Sequence, residues 1–325
     1  MSDETNDRSQ GLDELLVGLL AGDQRALARA LTVVESDEPD AEAILQLIEP
    51  RLSAAMIVGV TGPPGVGKST LIDAFVAEFR KRKMKVGVLA VDPSSPVTGG
   101  AILGDRIRMA RHVDDPGVFI RSIASRGQLG GLSRTAERVL EVMKAAGPDV
   151  LVVETVGAGQ SDVTIASIAH VNIVVSAPGL GDGVQAIKAG ILEIADILVV
   201  NKSDQPQAEQ TVVDLNAMLK LRPRDLPPVS VVPTTATSGA GISTLVKEVE
   251  AKFARKKHPM ESERRVHQIR RAIGQRAAEL LERYVDGRGD AQITLLCDCV
   301  RRGELSIQSA AERLLRGIIS TDPND

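Results

Sequence analysis

From residue 56 onward, short apolar runs alternate with segments of helical period. The apolar runs fall at Met56–Thr61, Lys85–Val91, Val118–Ser122, Val150–Glu154, Val171–Ala177, Ile197–Asn201 and Ser230–Thr234. Several are apolar throughout, as Leu151-Val152-Val153 and Ile173-Val174-Val175 show. A strand buried on both faces reads that way, and its alternation with helices makes a parallel sheet the economical arrangement. Before the first strand lie only helical patterns. Leu12, Leu15, Leu16, Leu19 and Leu20 form one stripe. Asp23 is placed to cap Gln24–Val34, and after a polar break at Ser36–Asp40 a third helix, Ala41–Ile48, ends near Pro50. This block is expected to be an appendage to the sheet. After Ile242 the pattern is helical to the end, with Val266, Ile269, Ile273, Leu280 and Leu281 on one stripe. Gly287-Arg288-Gly289 breaks it, and Ala291–Arg302 and Ile307–Arg316 follow as shorter helices. The pattern divides the chain into an N-terminal helical extension (1–54), an α/β domain with a mainly parallel sheet (55–256) and a C-terminal helical arm (257–325). An arm with no strand to pack on is expected to bury its stripe against a second subunit, which makes a homodimer.

Composition narrows the class without naming a chemistry. Hydrophobic residues make up 43% and charged residues 25% of 325, ordinary for a globular chain. Aromatics are only 2%, so the core must rest on aliphatic side chains. A net charge of −4 offers no electrostatic case for nucleic acid. No apolar run reaches the roughly 20 residues of a spanning helix, so no membrane role is expected. The acidic start, Met1-Ser2-Asp3-Glu4, has neither a signal core nor an Arg-rich presequence, and the expected compartment is cytoplasmic. Cys297 and Cys299 sit two apart in a helical pattern and so point away from each other, which suits reduced thiols better than a chelate. The four histidines (His112, His170, His258, His267) show no metal-ligand spacing. The basic run Arg80-Lys81-Arg82-Lys83 is expected to be a solvated last turn complementing the helix dipole.

The chemistry starts at Gly62-Pro63-Pro64-Gly65-Val66-Gly67-Lys68-Ser69-Thr70, between the first strand and a helical pattern from Leu71 to Arg82. This is G-x-x-x-x-G-K-[ST] in its strand–loop–helix setting. Successive backbone N–H groups there form an anion nest, and the following helix adds its positive end. Lys68 is expected to reach the β- and γ-phosphates and Ser69 to offer a hydroxyl to Mg²⁺. Asn201-Lys202-Ser203-Asp204 after the sixth strand fits N-K-x-D. There Asp204 accepts from the N1–H and exocyclic amine of guanine while Asn201 and Lys202 hold the loop. Thr235-Ala236 stands where a second base-contacting loop is expected. Asp92 and Glu154 end strands, and Asp105 follows in Leu103-Gly104-Asp105-Arg106. One or two such carboxylates suffice for Mg²⁺, which keeps several waters. Lys68, Asp92 and Glu154 are the candidate catalytic groups, because phosphoryl transfer to water needs positioning and charge neutralisation. Glu154-Thr155-Val156-Gly157 is an E-x-x-G, followed by Ala158 where small signalling GTPases carry a water-orienting glutamine. Slow intrinsic hydrolysis, accelerated by a partner, is the expectation.

Val91-Asp92-Pro93-Ser94-Ser95, Gly99 to Met109, and Glu154 to Asp162 together resemble the MeaB/ArgK/MMAA family. The resemblance runs from about residue 10 to the C-terminus. Members of that family are GTPases that act as chaperones of adenosylcobalamin-dependent methylmalonyl-CoA mutase. The resemblance implies a P-loop GTPase domain, a homodimer built through the C-terminal arm, gating of cobalamin delivery and protection of the mutase from inactivation. An indirect link to cobalamin adenosyltransferase would follow. It assigns Lys68, Ser69, Asp92, Asp105 and Glu154 to the phosphates and Mg²⁺. It also makes Pro178 to Lys188 an additional switch loop, with Asp182, Gln185 and Lys188 as coupling residues. Three rival classes remain, of which a purely structural adaptor that has lost catalysis is argued against by intact Lys68, Ser69 and Glu154. A small-molecule kinase would need a lid arginine, for which Arg121 or Arg126 could serve, but has no use for Asn201 to Asp204. A metal-insertion GTPase would be expected to carry His-rich or Cys-rich loops.

Overall fold

The computed structural model describes residues 2–36, 39–51, 53–92, 109–124, 134–155, 168–179, 194–222, 226–256 and 291–320, with isolated helical residues between 270 and 285. The chain divides into two compact units, Met1–Ser262 and Glu263–Asp325.

The larger unit opens with α1 (Ser2–Leu20), α2 (Gln24–Ser36) and α3 (Pro39–Ile48). Asp23 starts α2 as expected, its Oδ1 accepting from the Ala26 N–H at 2.7 Å. Seven strands follow: β1 (Met56–Thr61), β2 (Val86–Asp92), β3 (Val118–Ala124), β4 (Val150–Thr155), β5 (Val171–Ser176), β6 (Ile197–Val200) and β7 (Ser230–Pro233). Each lies within two residues of its predicted span. β3 runs further because it stays paired with β2 as far as Asp92 opposite Ala124. All pairings are parallel, in the order β3-β2-β4-β1-β5-β6-β7. The helices among them are α4 (Lys68–Lys81), α5 (Arg134–Ala145), α6 (Ala208–Leu219) and α7 (Ile242–Lys256).

The sheet is covered on both faces, which is why its strands read as continuous apolar runs. On one face Val58, Val60, Val152 and Ile173 meet α4 and α7. Two of the chain's four phenylalanines, Phe75 and Phe79, are fully buried there on α4, edge to face with ring centroids 4.8 Å apart. On the other face Ile57, Leu89, Leu151 and Val153 meet α5 and the N-terminal helices. A smaller cluster under α6 continues that face past β5. The N-terminal block is outside the sheet, as expected, but it is one of the sheet's covering layers. Arg121 on edge strand β3 grips Glu35 of α2 with two bonds of 2.6 and 2.7 Å, and Arg138 on α5 donates to Glu42 of α3. Arg121 is therefore engaged with the helical layer, which removes it as a lid arginine for a kinase. Arg126 lies outside the described residues.

The basic run at the end of the phosphate-loop helix is largely solvated, as expected, and two of its members make pairs that the pattern did not indicate. Arg80 binds both oxygens of Asp115 at 2.8 Å and the Met84 carbonyl, and Arg82 pairs with Glu250 on α7. Lys83 takes a left-handed backbone, φ 61°, to end the helix. Two of the four residues are thus also struts from α4 to its neighbours, while Lys81, Arg82 and Lys83 remain exposed at the end of the helix.

In the smaller unit, α8 (Ala291–Arg301) and α9 (Ile307–Ser320) are the described helices. Leu295, Ile307 and Leu315 are exposed on them, as is Cys297, while Cys299 is half-buried. No helix among the described residues is long and apolar enough to cross a membrane.

Candidate functional site

In an open parallel sheet the loops at the carboxyl ends of the strands gather over one edge, and ligands bind there. Gly62 to Gly67 leave β1 at the centre of the order, Glu154 is the penultimate residue of β4, Asn201 follows β6 and Thr234-Thr235 follow β7. Asp92 is the last residue of β2 on the same edge.

The phosphate loop is shaped by close approach. Gly62 has φ 145°, and a Cβ there would sit 2.2 Å from the Val175 carbonyl oxygen, so the loop turns directly against the end of β5. Gly67 has φ 88°, and a Cβ there would lie 2.7 Å from Asn201 Nδ2. Only glycine permits both the backbone and the contact. Pro64 and Gly65 are on the open side of the loop, and Val66 is buried beneath it. α4 then starts at Lys68, with Leu71 N–H bonded to the Gly67 carbonyl at 2.9 Å. Lys68 is nearly buried and its Nζ donates to the carbonyls of Gly62 and Pro63 at 2.8 and 3.1 Å. The ammonium is thus held over the mouth of the loop. Ser69 Oγ donates to Glu154 Oε1 at 3.1 Å, with both residues buried, joining the helix start to the end of β4. Thr70, half-exposed, follows in the first turn.

Asn201 is the hinge pin between this loop and the base loops. It is 2% exposed. Its Nδ2 donates to the Val66 carbonyl at 2.9 Å, a residue 135 positions away, and at 3.4 Å to Gly67. Its Oδ1 accepts from the Ala236 N–H at 3.1 Å and from Thr234 Oγ1 at 3.3 Å. Lys202, left-handed at φ 57°, stretches back so that Nζ donates to the Gly65 carbonyl at 2.9 Å. Asp204 stays exposed at the rim, two residues beyond. Thr235 is bridged to Ala240, and its hydroxyl is 2.9 Å from Ser203 Oγ. Thr234 and Ser203 are the members that pattern reading passes over. They occupy variable positions of their motifs, and only their bonds to Asn201 and Thr235 reveal them.

Among the site candidates, the structure brings together Lys68, Ser69, Glu154, Asn201, Lys202, Thr235 and Ala236 through direct contacts or shared partners. Asp92 is fixed only as a strand end. Asp105, Asp182, Gln185 and Lys188 lie outside the described residues. Of the histidines, His112 contacts Asp73 and His170 Nδ1 accepts from the Ile57 N–H, so each has a structural partner. No group of His, Cys, Asp or Glu able to hold a metal stands out among the described residues.

Comparison with known proteins points the same way. The family profile described as Methylmalonyl Co-A mutase-associated GTPase MeaB matches residues 27–288. A protein of Pyrococcus abyssi that carries a GTPase name is 45% identical over 320 residues, 95% of this chain and 97% of its own. The mitochondrial methylmalonic aciduria type A homolog of Mus musculus is 34% identical over 253 residues, 72% of this chain and 61% of its own. A crystal structure described as LAO/AO transport system kinase superposes with a TM-score of 0.67 at 26% identity, over 94% of this chain and 97% of that one.

Proposed function

The chain belongs to the MeaB family of GTPases, and on that premise we propose that it is a cytoplasmic chaperone of methylmalonyl-CoA mutase whose nucleotide state gates adenosylcobalamin loading and protects the mutase from inactivation. Hydrolysis of GTP is the family reaction. The observation that carries the reading is the Asn201 junction, where one side chain fastens the phosphate loop to both base loops. A phosphate clamp tied in this way to an N-K-x-D loop is a device for reading guanine, and a metabolite kinase has no use for it.

The roles follow from the atoms. Main-chain N–H groups of Gly65 to Thr70 would take the phosphates, with Lys68 matching the charge that builds on the β–γ bridge in the transition state. Asp204 would accept from the guanine edge. The donor set near Ser69 and Glu154 is a hydroxyl and a carboxylate, hard oxygens of the kind Mg²⁺ prefers, and so fits that ion. Ser69 and Asp92 would hold it, with Asp105 completing the set and Glu154 orienting the Ser69 hydroxyl. Bound there, Mg²⁺ would neutralise charge on the β- and γ-phosphates. The division into a helical layer (1–54), a GTPase domain (55–256) and a dimerising arm (257–325) is part of the same proposal. So is the coupling role of Asp182, Gln185 and Lys188, and an indirect link to the adenosyltransferase that supplies the cobalamin. The exposed Leu295, Ile307 and Leu315 support an arm that meets a second copy.

The test is GTP turnover by the full chain with and without purified mutase. Slow turnover alone and clear stimulation by mutase are expected, and Lys188→Ala should keep nucleotide affinity while losing the stimulation. Turnover that is indifferent to mutase would refute the client. ATP held as tightly as GTP in calorimetry would refute the base reading.

A further inference from the structure

The segment that precedes β3 is bolted to the phosphate-loop helix at two points. Asp73 lies four residues after Ser69 on α4, on the same face one turn along. Its carboxylate takes Arg111 Nε at 2.8 Å and Arg111 Nη2 at 2.6 Å. His112 Nε2 lies 3.1 Å from the same carboxylate, and the Asp73 main-chain carbonyl accepts from Arg111 Nη2 at 2.9 Å. Asp73 and His112 are 15% and 8% exposed, so the cluster is shielded although Arg111 reaches solvent. Met109, two residues earlier, is fully buried in the cluster beneath α4. The second point, Arg80 with Asp115, is at the far end of the helix.

These two struts are chemically alike and differently placed. The Arg80–Asp115 pair is beside the last turn of α4 and the entry to β3. The Asp73 cluster is one turn from the hydroxyl that ties α4 to Glu154. It also fastens α4 to the residues just ahead of β3.

We propose that Asp73, acting through Arg111 and His112, is a positioning residue for GTP hydrolysis. It fixes the first turns of the phosphate helix to the segment that enters β3, so that Ser69 keeps its place against Glu154. A shift of about 1 Å in such a unit is enough to cost a large factor in rate without loss of binding. The proposal rests on the GTPase site described above.

The experiment compares full-length wild type, Asp73→Asn, Asp73→Glu, Arg111→Ala and Asp115→Asn. It reads kcat and KM for GTP with Mg²⁺, GDP affinity in EDTA, and the melting temperature. Absence of wild-type turnover would overturn the GTPase reading and the clamp together, whereas wild-type turnover with unaltered kcat and Mg²⁺-dependent GDP affinity in Asp73→Asn would overturn the clamp alone. Asp73→Asn and Arg111→Ala should each lower kcat about tenfold with KM and EDTA affinity nearly unchanged, and should weaken the Mg²⁺ enhancement of GDP binding. Asp73→Glu should recover part of the loss. Asp115→Asn should melt lower yet keep the wild-type kcat. Equal loss in Asp73→Asn and Asp115→Asn would reduce the clamp to ordinary structural support and overturn the proposal. Loss in Arg111→Ala but not in Asp73→Asn would overturn it too, by making Arg111 act alone.

Discussion

Replacing Asn201 by alanine tests the junction on which the guanine reading stands. Four contacts vanish, two of them well formed at 2.9 and 3.1 Å and two long at 3.4 and 3.3 Å. Counting only the short pair, each contributes about 1 kcal/mol net, and leaving the Val66 carbonyl and the Ala236 N–H without partners adds to that. The sum is roughly 2–4 kcal/mol. It divides between stability, because the loops are joined before nucleotide arrives, and affinity, because the nucleotide must then order them itself. GDP affinity measured by calorimetry should fall about 10- to 100-fold, with a melting temperature lower by a few degrees. Asn201→Asp sharpens the test. It keeps an acceptor for Ala236 and Thr234 but turns an acceptor oxygen toward the Val66 carbonyl, so it should bind no better than the alanine variant. Affinity within threefold of wild type in Asn201→Ala would refute the reasoning, as would rescue by aspartate.

Three further outcomes follow from single sites. Asp204→Asn replaces an ionised acceptor by an amide, so GTP affinity should drop about tenfold or more while xanthosine triphosphate, which offers a carbonyl in place of the amine, gains; competition binding checks both. Lys83 holds a left-handed backbone at φ 61°, and Lys83→Gly should raise stability by about 0.5–1 kcal/mol in urea unfolding. The Arg80 guanidinium, helped by the Gly117 N–H, holds the Asp115 carboxyl below its ordinary range. A carboxyl lowered in the folded state contributes its stability above the unfolded value of about 3.9, and the contribution is lost as pH falls through the lowered value. Asp115→Asn should therefore unfold more easily than wild type at pH 7, with the gap closing in acid below about pH 4 in urea titrations.

The seven strands were legible because burial on both faces erases alternation and leaves a distinct apolar signature, as at Leu151 to Val153. The phosphate and base loops were legible because their chemistry demands particular residues at fixed spacing. Partnerships across the fold were not. Nothing local distinguishes Arg80 from Lys81, yet Arg80 is ion-paired to Asp115 and Lys81 reaches only Glu78, three residues back on its own helix. Arg121 reads as a candidate lid group because it is a basic residue on a strand near the site. What decides its role is the pleat, which turns Phe119, Arg121 and Ile123 toward the N-terminal helices and Ile120 toward α4. Thr234 and Ser203 were missed for a related reason: a hydroxyl acquires its role from the partner the fold brings to it.

Taken together, these contacts make α4 more than the helix that follows a phosphate loop. Its first turn is tied to β4 by Ser69 and Glu154, its second to the segment before β3 by Asp73, and its last to Asp115 and to α7 by Arg80 and Arg82. α7 begins just after the Thr235-Ala236 loop, so the Arg82–Glu250 pair links the phosphate helix to the helix that leaves the base loop. That exposed pair alone is worth little, on the order of 0–1 kcal/mol. Its partner in the linkage is Asn201, which joins the same two loops from inside, where each bond is shielded and costs more to break. If the inner junction dominates, Glu250→Ala should leave GDP affinity unchanged while Asn201→Ala reduces it. Equal losses would move the coupling from the buried amide to the helix surface.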